Sequence, residues 1–85
     1  MDTREIVIIN SFYDARIKVI EKRKQDLLYH ICQMAEMVKC EEDQEFSFFL
    51  QETIEYLEEL VTHLEQKSDL LNREKEQWLT TLRTQ

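Results

Sequence analysis

Residues 40–45 read Cys40–Glu41–Glu42–Asp43–Gln44–Glu45, the most polar stretch of an 85-residue chain that contains no glycine and no proline. The path of the backbone through these residues decides the fold. Glycine and proline are the usual punctuation of turns, so a chain without them has helix as its easiest regular structure. Two paths are open. In the first, a helix ends near Lys39 and Asp43 caps a second helix, whose acidic first turn suits the positive end of the helix dipole. In the second, one helix runs straight through and an eleven-residue repeat absorbs a change of phase by local unwinding. The missing glycine just past the first helix argues against a turn. The crowding of Glu41, Glu42, Asp43 and Glu45 argues for one, because stacked carboxylates inside a helix repel. The balance tips toward a break at 40–45 between helices at about 3–39 and about 46–83.

On either side of this segment the apolar residues recur at heptad spacing, in steps of four and three. The first seam is Ile6, Asn10, Tyr13, Ile17, Ile20, Lys24, Leu27, Ile31, Met34 and Val38, widened by Ile9, Phe12, Leu28 and Ala35. The second is Leu50, Ile54, Leu57, Val61, Leu64, Ser68, Leu71, Lys75, Trp78 and Leu82. The two are out of phase: sevens counted from Met34 reach Glu41 and Phe48, not Leu50. The run Ile6–Val7–Ile8–Ile9 is β-branched, but the helical period that follows it reads as helix, with Asp2 and Glu5 in the pattern of a capping box. The reading is all-α: an antiparallel coiled coil or helical hairpin, completed as a dimeric bundle. One hairpin buries little apolar surface, and a stripe this wide suits three or four helices.

Charge supports antiparallel pairing. Residues 1–40 carry seven Lys/Arg and six Asp/Glu, whereas residues 41–85 carry four and twelve. A fold about residue 43 sets residue i opposite roughly residue 86 − i, which brings Lys22, Arg23 and Lys24 toward Glu58, Glu59 and Glu65, and Ile6 toward Trp78 and Leu82. Two straight chains crossed antiparallel about the same centre make the same contacts between copies. Asn10, Lys24, Ser68 and Lys75 interrupt the seams with polar side chains, positions that fix register in coiled coils. The predicted interface consists of Ile6, Tyr13, Ile17, Ile20, Leu27, Ile31, Val38, Phe49, Leu50, Ile54, Leu57, Val61, Leu64, Leu71, Trp78 and Leu82. Phe46, Phe48 and Phe49 cannot all face one seam, so at least one is exposed or covered by a second chain.

Other chemistry finds little foothold. His30, His63, Cys32 and Cys40 match no zinc spacing, and there is no phosphate loop or nucleophile elbow. Catalytic residues, cofactor and metal are therefore all expected to be absent. The acidic second half disfavours nucleic acid, and pairing with it accounts for the basic segment Arg16–Lys24. No stretch reaches the roughly 20 apolar residues of a membrane span, and the N-terminus lacks a signal-peptide pattern. Two cysteines make no disulfide framework, which points to a reducing compartment, cytoplasmic or nuclear. Thr80–Gln85 carries no helix stop signal, as expected of a helix cut from longer chain.

The stretch Phe12–Tyr13–Asp14–Ala15–Arg16–Ile17–Lys18–Val19–Ile20–Glu21–Lys22–Arg23–Lys24–Gln25–Asp26–Leu27–Leu28 resembles the coiled coil that follows the B-box in tripartite-motif (TRIM) proteins. That region shows an aromatic, apolar residues at helical spacing, Glu-x-Arg-Lys and a Leu-Leu pair, and the out-of-phase centre is similar to its mixed repeats. The resemblance spans about residues 9–66 and implies an antiparallel dimer of long helices that spaces ligase domains. The zinc-binding RING and B-box residues are absent here, so ligase activity transfers to no residue of this chain. The expected function is oligomerisation, with the chain itself as partner in a homodimer. The alternative is an adaptor for another helical protein or an anionic surface.

Overall fold

The computed structural model describes residues 3–84, and these form an all-α helical hairpin. Helix α1 spans Thr3–Cys40 and α2 spans Gln44–Arg83. Asp2, expected to cap α1, lies outside the described residues. At about 1.5 Å per residue either helix accounts for most of the 64 Å long dimension. A single rod through the whole chain would need about 125 Å, so the continuous-helix alternative is set aside.

The reversal is made by side-chain carboxylates. Asp43 holds an extended backbone (φ −77°, ψ 115°), and its Oδ1 accepts the backbone N–H groups of Glu45 at 2.9 Å and Phe46 at 3.2 Å. These belong to the first turn of α2, where amide donors have no intrahelical partner. Glu41 Oε1 accepts the Asp43 N–H at 3.0 Å, and the Glu41 N–H reaches back to the Val38 carbonyl at 3.4 Å. No described residue has positive φ, so α1 ends without the left-handed residue that glycine usually supplies. The non-helical segment is residues 41–43, shorter than the 40–45 that the sequence allowed.

The helices pack along the expected seams. Every α1 seam residue from Ile6 to Val38 is buried or half-buried. On α2, Leu50, Val61, Ser68, Leu71 and Leu82 are buried, and Ile54, Leu57, Leu64 and Lys75 are half-buried. Tyr13, Ile20 and Leu71 form the centre of the core, with Ile9, Ile17 and Leu64 against them. Of the residues expected to widen the first stripe, Ile9 and Ala35 are half-buried and Phe12 and Leu28 are exposed.

One seam position is corrected. Trp78 is 52% exposed, and its neighbour Leu79, at 4%, takes the place between the helices. The seam there steps Leu71, Lys75, Leu79, Leu82, which is eleven residues in three steps. A straight helix has 3.6 residues per turn, so a strict heptad drifts off the contact line unless it is supercoiled, and an extra step of four restores the alignment. The register also differs from the expectation. Tyr13 meets Glu74, Asp14 meets Lys75 and Glu21 meets Ser68. A fold about residue 43 would place residues 73, 72 and 65 there, so α2 is displaced by one to three positions.

Asp43→Ala removes both cap bonds and is expected to cost about 1 kcal/mol of stability by urea denaturation, with Asp43→Ser retaining most of it. Leu79→Ala is expected to cost about 2–4 kcal/mol, whereas the exposed Glu76→Ala costs under about 0.5 kcal/mol. Equal losses at the two positions would contradict the placement of Leu79.

Candidate association surface

The polar residues of the seam fix how the two helices meet. Ser68 is buried and its hydroxyl donates to Glu21 Oε1 at 3.4 Å. Lys75 Nζ donates to Asp14 Oδ1 at 2.8 Å as an ion pair. The Tyr13 hydroxyl donates to Glu74 Oε2 at 3.4 Å. Asp14 and Glu21 are one heptad apart, as are Ser68 and Lys75, so both contacts belong to one register, which a slip of either helix breaks. Of the four polar seam residues, these two reach across. Lys24 instead pairs with Glu21 of its own helix at 3.2 Å, and Asn10 is half-buried.

The electrostatic pairing expected from the charge asymmetry is not made. Among the described residues no ion pair joins Lys22, Arg23 or Lys24 to Glu58, Glu59 or Glu65, and these glutamates are exposed. The Lys75–Asp14 pair has the opposite sense, with the cation on the acidic helix. Net charge per helix is a sum over all faces, and only side chains beside the seam can pair across it.

Beyond the seam, the two flanks of the hairpin differ in kind. Residues seven apart lie on one line along a coiled-coil helix. On α2 one such line is Phe46, Thr53, Leu60 and Lys67, and the next is Phe49, Tyr56, His63 and Leu70. Together they make a second stripe of alternating three and four steps beside the first. Its Thr53 and Leu60 are half-buried, and its other members are exposed. Phe46 and Phe49 stack on each other with ring centroids 6.3 Å apart. Phe48, two positions from Phe46, turns to another side of α2. On α1 the same flank carries Phe12, Arg16, Val19 and Arg23, with Arg16 held over the Phe12 ring at 4.6 Å. Here a groove of about 350 Å³ opens between the helices, lined by Ala15, Val19, Ile20, Leu64 and Leu71 and rimmed by Arg16, Arg23 and Lys67. The other flank is polar on α2, with Gln51, Glu58, Glu65 and Asn72, and mixed on α1, where Asp14 and Glu21 share a line with Val7, Leu28 and Ala35.

The predicted interface residues therefore fall into two sets. Those of the seams, Leu79 replacing Trp78, meet within the hairpin. Phe49 and Trp78 face outward. Sequence reading singled out Phe46, Phe48 and Phe49 but missed the stripe that Phe46 and Phe49 begin, although its seven-residue spacing is present in the sequence. Among the described residues no three His, Cys, Asp or Glu side chains gather as a metal site, and no helix is long and apolar enough to cross a membrane. No family model matches the chain, and no curated protein or solved structure matches it at a significant level.

A double-mutant cycle on Asp14 and Lys75 is expected to give a coupling of about 0.2–1 kcal/mol that fades at high salt, because Asp14 stays largely exposed. A coupling independent of salt would place the pair in a drier setting than the hairpin gives it.

Proposed function

We propose that the chain is an association module: the hairpin self-associates through its apolar flank and thereby positions whatever is joined to it. The observation that carries this reading is the unfinished burial of the hairpin. No described side chain falls below 2% exposure, while Phe12, Val19, Phe49, Tyr56 and Leu70 remain half or more exposed. A compact monomer of 10.4 kDa has an accessible surface of roughly 5,400 Å², whereas this chain exposes 6790 Å². The excess exceeds the roughly 800 Å² that each partner buries in a standard protein interface. Contiguous exposed apolar stripes of this kind mark interaction sites.

The activity proposed is binding and not catalysis. The TRIM-like segment 12–28 is in keeping with it, since that family's coiled coils work as spacers, and a reducing compartment suits the free, exposed Cys32 and Cys40. The basic rim of the groove favours one alternative, an adaptor that receives an acidic amphipathic helix from a different protein.

Sedimentation equilibrium separates the two. The expected result is a dimer of about twice 10.4 kDa at micromolar concentration, with helix content rising or unchanged on association. A monomer up to 100 micromolar would remove self-association and leave the adaptor.

A further inference from the structure

The partner of the apolar flank is a second copy in a defined orientation: we infer that two hairpins lie flank to flank with their loops at opposite ends. Each then sets Phe46 and Phe49 over the Arg16–Arg23–Lys67 groove of the other. This inference rests on the self-association proposed above and adds the geometry.

Three observations carry it. The first is placement on one flank. Phe46 and the groove residue Lys67 belong to the same seven-residue line of α2, so the aromatic pair and the groove face the same way at different heights. A two-fold axis that brings one pair onto one groove brings the other pair onto the other groove, as an isologous interface requires.

The second is charge along the length. Residues 25–63, the loop half, hold one Lys/Arg and ten Asp/Glu, a net of −9. Residues 3–24 and 64–84, the open half, hold ten and seven, a net of +3. Two copies with their loops together would stack the negative halves, at a cost that grows as solvent leaves the interface. Loops at opposite ends set each negative half beside the partner's positive one.

The third is chemical fit. The groove floor is apolar and its rim is three cations. The segment offered to it has two stacked phenyl rings beside Glu45 and Glu52, carboxylates seven residues apart as Arg16 and Arg23 are. A phenyl face also attracts a guanidinium, and Arg16 already lies over Phe12.

The geometry sets a distance. Phe46 and Phe49 come level with Leu70 and Lys67 of the partner, so the two Phe46 residues, and the Cys40 residues that end α1 near them, stand about 30–35 Å apart along the axis. Cys40, the last residue of α1, is an exposed thiol at the loop. The Cys32→Ser chain is spin-labelled at Cys40 and the distance between labels is measured by pulsed dipolar spectroscopy. The expected value is about 30–40 Å, allowing for the label arms. A distance under about 20 Å, which loops side by side or a swapped pair of straight helices crossing at residue 43 would both give, overturns the orientation while leaving self-association intact. A monomer by sedimentation overturns self-association itself.

Substitutions test the contact. Phe46→Ala with Phe49→Ala is expected to weaken the dimer at least about tenfold, as loss of buried aromatic anchors does, while Phe48→Ala on another side of α2 leaves it unchanged. Equal effects would refute the aromatic docking. Arg16→Glu with Arg23→Glu is also expected to weaken the dimer, and Glu45→Arg with Glu52→Arg in the same chain is expected to recover at least half of the lost affinity. Failure to recover it, with helix content intact, would refute the pairing.

Discussion

The carboxylate of Asp43, bonded to the first free amides of α2, is the constraint on which the rest of the molecule depends. A chain without glycine or proline has no inexpensive way to reverse. Besides this cap, only the crowding of Glu41, Glu42, Asp43 and Glu45 and the Glu41 bond to the Asp43 N–H favour a break over a continuing helix. A cap contributes only about 1 kcal/mol. That is enough to matter, because two straight helices crossing between copies would bury nearly the same side chains as the hairpin does, so packing scarcely discriminates between them. The local geometry at residues 41–43 decides. Once the chain turns there, Tyr13 faces Glu74 and Asp14 faces Lys75, and the core of Tyr13, Ile20 and Leu71 assembles inside one molecule.

The sequence made the seams legible because apolar spacing is a property of every turn of the helix and does not depend on its partner. Tyr13, Ile20, Leu50, Val61, Leu71 and Leu82 were all readable in this way, as was the capping role of Asp43. Trp78 was misplaced because a strict heptad count ignores the drift between 3.5 and 3.6 residues per turn, which accumulates toward the end of a forty-residue helix. The Lys22–Glu58 family of contacts was misread for a different reason. A charge total says which helix is acidic but not which of its faces meets the partner. The second stripe from Phe46 to Leu70 was legible in principle and was missed because the first stripe sufficed to explain a hairpin.

The two flanks divide the work of the molecule. The flank bearing Glu21 joins the polar contacts that hold register, Ser68 and Lys75 reaching to it from α2. The flank bearing Phe46, Leu60 and Val19 leaves apolar surface without a partner in the monomer. A hairpin with both flanks polar would be soluble and marginal, and one with both flanks apolar would associate without limit. A hairpin with one flank more apolar than the other suits the closed two-fold pair proposed above, in which the sticky face would be consumed and the more polar faces would remain outward.

The hairpin topology also grades the chain by the sequence distance its contacts bridge. Near the loop, the seam residues Val38 and Leu50 are only about a dozen residues apart in sequence, whereas the paired Asp14 and Lys75 are 61 apart. The entropy lost in closing a loop grows with its length, so pairing from the capped turn outward lets each heptad close only a short additional segment on the one before. Such an order of assembly avoids the large search that distant contacts impose and belongs with the rapid kinetics of low-contact-order helical proteins. Stability is not graded the same way. The buried cluster of Tyr13, Ile20 and Leu71 lies in the open half, so amide exchange protection should be greatest around it and fall off toward the chain ends and the tip.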